Sequence, residues 1–368
     1  MFNKIILYLK HFDWILFTAV LLLVCFGLVE IYSVALGQSA VNFFNFKKQL
    51  IFATVGLFLL FVFALIDYYQ LRNYSNHLFI LGAIILISLL FFGQTIRGSK
   101  SWFYLAGFGF QAVELIKILL ILFLARYFSS TSLKNKPLKH LIISGSGSLI
   151  FTVLVLAQPD FGSALILFLL WLAMIALAGF NKKYFVVILL LIALAAAWLW
   201  FFIFQDYQKQ RIITFFRPSY SQLDQGYNAS QALIAIGSGG LFGRGLGFGS
   251  QSQLKFLPAA QTDFIFAVIA EELGFLGVTL VIFFFAAFFW RLLSCLKKLN
   301  NDFAVFFVLG ALGLIFIEML INIAMNMGLL PIIGISLPFV SYGGSSLISS
   351  LILVGITQSI IIRSKMSY

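Results

Sequence analysis

Apolar residues in this chain come in long unbroken runs, not in the alternation of a half-buried strand or the one-sided stripe of a surface helix. The runs fall near 14–36, 49–66, 78–93, 111–128, 141–157, 163–179, 185–204, 264–290, 303–323 and 344–362. A helix needs about 20 mainly apolar residues to cross a bilayer. The pattern therefore predicts about ten transmembrane helices in an all-α polytopic membrane protein. No internal repeat is visible, so residues 1–368 read as one transmembrane domain, with 205–262 as its large loop between the seventh and eighth runs. Lys4 and Lys10 precede the first run, as in a signal peptide. That run extends from Trp14 to Leu36, too long for a signal's apolar core, and is expected to stay as an uncleaved span.

Composition excludes the soluble alternatives. Of the 368 residues, 62% are hydrophobic and 10% charged, where a soluble domain is about a quarter charged. Cys25 and Cys295 form no CxxC and no disulfide framework. The net charge of +12 would suggest nucleic acid in a soluble protein; here it follows from topology, and no nucleic-acid partner is expected. With the N-terminus inside, 14 basic residues lie on cytoplasmic segments, against Lys47, Lys48, Arg97 and Lys100 on the short outer loops. That bias predicts both termini in the cytoplasm and places 205–262 outside. His11, His77 and His140 then scatter on the inner side, so neither a histidine metal cluster nor an outer Ser/His/Asp triad can form. No Walker A motif occurs.

Three outer segments are expected to be irregular: Gly93–Phe110, Gln205–Thr262 and the apolar, Pro- and Gly-containing Gly328–Ser346. Non-helical backbone at membrane depth survives only where protein or a wet cavity satisfies it, so the third reads as re-entrant. Intramembrane charges call for a functional reading. Glu114 and Lys117 sit three apart on one helical face with Gln111, either as a neutral pair joining helices or as part of a polar cavity. Glu318 has no local partner and forms a polar stripe with Asn322, which reads as helix packing. Asp160, in Gln158–Pro159–Asp160–Phe161–Gly162, is placed to cap the helix starting near Ser163.

Asp263, at the outer mouth of the eighth run, is placed either to complement a helix dipole or to serve as a general base. Glu271 and Glu272 lie two turns deeper, and at least one is expected to face inward, toward a cation or water. The run Gly237–Gly249, flanked by Arg244 and Lys255, can form a phosphate-holding nest or a flexible gating loop. Arg211–Arg217 reads as an interfacial segment. Trp102 can stack on a sugar or anchor the interface.

Several of these motifs together resemble the SEDS family (shape, elongation, division and sporulation), which includes RodA and FtsW. They are Gln261–Thr262–Asp263–Phe264–Ile265–Phe266 continuing to Gly274, Leu337–Pro338–Phe339–Val340–Ser341–Tyr342–Gly343–Gly344–Ser345–Ser346, the Gln158–Gly162 turn and Ala235–Gly240. The resemblance runs from Asp13–Trp14 to the C-terminus. It implies a peptidoglycan glycosyltransferase at the outer face of the bacterial plasma membrane, acting on lipid II, a disaccharide-peptide on undecaprenyl pyrophosphate. It also implies a class B penicillin-binding transpeptidase as partner. Asp263 aligns with the family's essential aspartate, Glu114 and Lys117 with its polar pair, and Trp102 with its outer-loop tryptophan. Gly249–Pro258 is closer to the elongation branch, typified by RodA.

Two departures stand out. Phe110–Gln111–Ala112–Val113–Glu114 replaces the family's Phe-Gln-Pro-Ser-Glu, and Ala259 follows Leu257–Pro258 where the family has Glu. Converting an α-linked glycosyl pyrophosphate into a β-1,4 glycan inverts the anomeric centre, which needs one base and a stabilised leaving group. Asp263 is the expected base. Arg97, Lys100, Arg244 and Lys255 are expected to hold pyrophosphate, aided by Glu114, Lys117, Asp160 and Glu271 in a polar cavity and by Ser341 and Tyr342 at the substrate. A divalent cation (Mg or Mn) can share the charge. A lipid-linked oligosaccharide flippase and a non-catalytic scaffold for the transpeptidase are the competing readings.

Overall fold

The computed structural model describes residues 8, 10–36, 43–96, 98–105, 108–131, 136–202, 209 and 225–366. Ten long helices coincide with the ten apolar runs: α1 Trp14–Leu36, α2 Phe44–Leu65, α3 Tyr68–Phe92, α4 Val113–Ser129, α5 Pro137–Leu156, α6 Phe161–Leu177, α7 Lys182–Phe202, α10 Ile265–Leu296, α11 Asp302–Asn326 and α12 Gly344–Met366. Among the described residues, 7 are long and apolar enough on their own to cross a membrane. The large loop contributes α8 Gln225–Gly239 and α9 Ser250–Gln253. Arg211–Arg217 lies outside the described residues.

Asp67, Asp160 and Asn301 start α3, α6 and α11, each side chain accepting a backbone N–H of the first turn. The first segment expected to be irregular is instead an antiparallel sheet of β1 Gln94–Ile96, β2 Ser99–Leu105 and β3 Phe108–Gln111. Trp102 pairs with Gln94 on one side and Gln111 on the other. Gln111 therefore ends a strand and does not share a helical face with Glu114 and Lys117. Strand pairing satisfies backbone that a loop would leave open, and Trp-Phe-Tyr in sequence favours it.

The last helix is the pillar. Residues on nearly every face of α12 are buried, including Ser345, Ser349, Ser350, Thr357, Gln358 and Ser359. A helix in lipid gains little by hiding leucines from hydrocarbon, so buried faces favour small residues that let backbones approach. Gly355 packs on the Leu60 backbone of α2, and Gly344 on the Phe52 ring. Bulky side chains such as Phe58, Phe91 and Leu189 face outward instead.

The end of the bundle opposite the sheet is tied by one carboxylate. The side chain of Asp13 is wholly buried and meets Arg291 at 2.7 Å and Lys365 at 3.4 Å. Its backbone exchanges two hydrogen bonds with Gln358, at 3.0 and 2.9 Å. Burial alone would raise the Asp13 pKa. The Arg291 hydrogen bond, the Leu16 amide and the charges of Lys365 and Arg291 outweigh it and hold the group below its ordinary value of 3.8. A depressed pKa means the carboxylate stabilises the fold at pH above that value, and the contribution fades as pH falls through the lower folded value. Breaking such a buried pair costs on the order of 3 kcal/mol. Thermal unfolding in detergent should therefore find Asp13→Asn well below the parent at pH 7, with the gap narrowing below about pH 4.

Candidate functional site

Three consecutive carbonyls just ahead of α10 are each held by a different partner. The Gln261 carbonyl accepts from the Tyr342 amide at 2.8 Å, and the Thr262 carbonyl from Ser341 Oγ at 2.7 Å. The Asp263 carbonyl accepts from Asn322 Nδ2 at 3.0 Å and Asn326 Nδ2 at 2.9 Å. Both asparagines are fully buried on α11, one turn apart and so on one face. Asn322 also donates to the Ile335 carbonyl at 2.7 Å, and Asn326 Oδ1 accepts from the Ala267 amide at 3.3 Å. Gly334, in a left-handed conformation with φ 74, lies beside the Asp263 carboxylate: a Cβ there would sit 3.7 Å from Oδ2. The segment expected to be re-entrant thus lines Asp263. The half-buried carboxylate rests on backbone with little freedom to turn.

The same face of α11 reaches the polar pair of α4. Lys117 Nζ meets Glu114 at 2.8 Å and Glu318 at 2.5 Å, all three side chains almost wholly buried. Glu318, without a local partner in the sequence, is paired across helices. Two carboxylates against one ammonium leave a formal excess of one negative charge. The triad ties α4 to α11 one turn below Asn322, so it braces the helix that holds Asp263. Asp160 caps α6 through Ser163 and accepts from Gln111 Nε2 at 3.1 Å. Ser345 Oγ accepts the Gln111 amide at 2.9 Å. These contacts gather β3, α6 and α12 at the end of the bundle where Asp263 lies.

The expected cationic cradle is not assembled among the described residues. Lys100 Nζ donates to the Leu90 and Phe91 carbonyls at 2.7 and 3.3 Å, at the C-terminal end of α3 where a cation complements the dipole. Trp102 is partly buried, with Gly109 packed against its ring. The guanidinium of Arg244 donates to the Ser238 carbonyl and Ser250 Oγ at 3.4 and 3.5 Å. Arg97 lies outside the described residues. Lys255 is exposed, with φ 60.

The glycine run has a different partner from the one expected. The eighth apolar run is not one continuous helix: α10 breaks at Gly274, with φ 67 and ψ −161, which frees carbonyls and amides on either side. The run fills the break. Arg244 and Gly245 amides donate to the Glu271 and Glu272 carbonyls at 3.0 and 2.9 Å, and Phe275 and Leu276 amides donate to the Gly240 and Leu241 carbonyls at 2.9 and 3.2 Å. The nest does hold an anion, but the anion belongs to the chain: the Gly247 amide donates to Glu272 Oε2 at 3.1 Å. Glu271 caps α9, accepting the Gln251 and Ser252 amides at 2.7 and 3.0 Å. Among the described residues, the side chains of Glu271 and Glu272 are met by amides and hydroxyls and by no Lys or Arg, because the break leaves unpaired amides that a carboxylate answers at close range. Asn326 and the buried Glu30 were not singled out from sequence. Asn322-x-x-x-Asn326 and one acid inside the first apolar run were the signals for them.

The comparisons with known proteins agree with this architecture. The sequence model of the FtsW/RodA/SpoVE family, described as cell cycle protein, matches residues 13–366. Stage V sporulation protein E of Bacillus subtilis (strain 168) is 34% identical over 362 residues, spanning 95% of this chain and 96% of that protein. Peptidoglycan glycosyltransferase MrdB of Escherichia coli (strain K12) is 36% identical over 316 residues, spanning 85% and 84%. Among solved structures, a chain from work on how a peptidoglycan synthase complex coordinates polymerization and crosslinking superposes with TM-score 0.81 at 25% identity, covering 97% of this chain and 98% of that one. Thermus thermophilus rod shape determining protein RodA superposes with TM-score 0.72 at 25% identity, covering 95% and 96%.

The filled break separates two roles for glycine. At Gly243 (φ 79) a Cβ would drive into the Glu272 carbonyl, whereas at Gly245 (φ 97) the nearest atom is a Phe248 side-chain carbon at 3.4 Å. Gly245→Ala meets only the left-handed backbone penalty, about 1–2 kcal/mol. Gly243→Ala should add a collision with backbone to a similar penalty. Melting temperatures of the purified variants should therefore place Gly243→Ala clearly lower; equal, small losses would mean that the run is merely flexible.

Proposed function

We infer the reaction from one premise: this chain belongs to the FtsW/RodA/SpoVE family of cell cycle proteins. It is a multi-pass bacterial membrane protein and a peptidoglycan glycosyltransferase, the activity by which several relatives are named. The substrate we propose is lipid II, polymerised at the outer face of the plasma membrane, the side to which we assign Asp263; the excess of basic residues in the opposite loops supports that assignment.

In the proposed step, Asp263 takes the proton of the GlcNAc 4-hydroxyl of one lipid II as that oxygen attacks the anomeric carbon of another. The bond from that carbon to the pyrophosphate breaks, the undecaprenyl pyrophosphate leaves with the electron pair, and the α-linkage becomes β. One displacement with one base needs no covalent intermediate. The observation that carries this reading is the triple clamp of carbonyls 261–263, which aims one half-buried carboxylate beside the Gly334 loop. Pre-organisation of this kind is where an enzyme gains rate from positioning. The Glu114–Lys117–Glu318 triad contributes by fixing α11, and with it Asn322 and Asn326. Ser341 acts through its hydroxyl on the Thr262 carbonyl, and Tyr342 through its amide.

Leaving-group charge is the less complete half of the site. With Lys100 and Arg244 engaged by carbonyls and a hydroxyl, Lys255 is the described cation on hand at the end of the glycine run. Among the described residues no three His, Cys, Asp or Glu side chains come together, and Ala259 removes one acid nearby. A Mg or Mn ion would therefore take most of its oxygens from the pyrophosphate itself, and proton transfer to Asp263 does not involve it. The partner we propose is a class B penicillin-binding transpeptidase. A structural neighbour from a complex that couples polymerization to crosslinking supports it.

Two variants separate chemistry from positioning in a gel-resolved assay of labelled lipid II polymerisation, with the cognate transpeptidase present and its crosslinking blocked. Asp263→Asn should lower kcat by roughly 10²–10⁴-fold with an unchanged melting temperature. Asn326→Ala should lower kcat by about 10²-fold with KM nearly unchanged, since it removes one of the two side-chain donors on the Asp263 carbonyl and leaves the Asn322 bond. Undiminished polymer from stable Asp263→Asn would refute the base assignment.

A further inference from the structure

Beside the break in α10, α1 carries an acid that the proposed reaction does not use. Glu30 lies one turn before Ser33, on the same face of α1, and Ser33 Oγ donates to Glu272. Glu30 is 0% exposed, and neither of its carboxylate oxygens has a hydrogen-bond partner among the described residues. Glu272, equally buried, accepts Ser252 Oγ at 3.1 Å and Gln253 Nε2 at 2.8 Å on one oxygen. Its other oxygen accepts the Gly247 amide at 3.1 Å and the Ser33 hydroxyl. A third oxygen, Gln253 Oε1, is also buried and unpartnered. Turning the amide over cannot satisfy it. Gln253 Nε2 already donates to two acceptors, the Ser33 carbonyl at 3.1 Å and Glu272 at 2.8 Å, and both bonds would be lost.

The cluster therefore holds two carboxylates and three idle oxygens, with no ammonium or guanidinium directed at them among the described residues. Arg244, the basic residue of the glycine run, is engaged by Ser238 and Ser250. An unpaired carboxylate inside a bundle is strongly unfavourable. One proton would neutralise one carboxylate and supply one donor, leaving idle acceptors behind. A hard cation would answer the charge and the oxygens together.

We propose that Glu30, Glu272 and Gln253 Oε1 form a divalent-cation site of the calcium class where α1 meets the break in α10. The donors are oxygens without His or Cys, which suits calcium or magnesium and not zinc. No third carboxylate joins them among the described residues, so the Ser33 hydroxyl and water complete the shell. Glu272 lies nine residues beyond Asp263, roughly 13 Å along a helix axis, so this site is separate from the reacting carboxylate. Bound cation would link α1 to the glycine run and hold that run in the break, independently of the assignment of Asp263.

The test uses the purified full chain in detergent, stripped with EDTA and then given calcium or magnesium separately. Equilibrium dialysis with radioactive calcium should find about one ion per chain. The melting temperature should rise by about 3–4 °C at a hundredfold excess over Kd. Glu30→Gln should lose both responses, and Asp263→Asn should keep both. Should Glu30→Gln melt below the parent in EDTA, Gln253→Met gives the second reading, with at least tenfold weaker calcium binding expected. Absence of binding and of any thermal shift with either metal overturns the proposal. So does Glu30→Gln binding calcium like the parent, or a parent melting temperature that rises on acidification and ignores metal, which would assign a shared proton instead.

Discussion

A carbonyl inside a membrane bundle has no water to turn to, and this fold is shaped by where its non-helical carbonyls find donors. The chain must leave helical geometry ahead of α10 to present Asp263 at a bundle end. Doing so exposes the carbonyls of Gln261, Thr262 and Asp263 in sequence, and each unsatisfied group in such surroundings costs several kcal/mol. Tyr342, Ser341 and the pair Asn322 and Asn326 meet them one by one. Because those donors come from α11 and from the loop ahead of α12, satisfying the backbone also fixes Asp263, the proposed base, against both. Stability and pre-organisation are here the same set of hydrogen bonds.

The break at Gly274 repeats the solution at a second place. An unwound turn offers two carbonyls and two amides, and the glycine run matches them with amides and carbonyls of its own. Close approach of two backbones requires the absence of Cβ atoms at Gly239 and Gly243. Glu271 and Glu272 then answer the remaining amides. A segment that looks like a phosphate cradle is a cradle for carboxylates of its own chain.

What could be read along the chain was what lies within a few residues. The apolar runs marked the helices, Glu114 and Lys117 at three apart were a pair, and Asp160 was a cap. Asp263 stood out because a carboxylate at a helix mouth is conspicuous. Contacts between distant segments were not legible. Lys117 and Glu318 are separated by 201 residues, and nothing local to Lys100 says that its ammonium will turn back onto the Leu90 carbonyl. Gly93–Phe110 reads as irregular in the sequence, yet Ser99–Leu105 carries the aromatic content of a strand. Asn326 is inconspicuous because a neutral amide in an apolar run carries no charge signal, although it holds the carbonyl of the proposed base, Asp263.

The account rests on Asp263 being aimed at the acceptor sugar, and a structure of the chain with a non-transferable lipid II analogue in the acceptor position tests that directly. It should place an Asp263 carboxylate oxygen about 2.6–3.2 Å from the GlcNAc 4-hydroxyl, or one water away, with the three carbonyl clamps unchanged. A 4-hydroxyl seated against another side chain, with Asp263 out of reach, would contradict it.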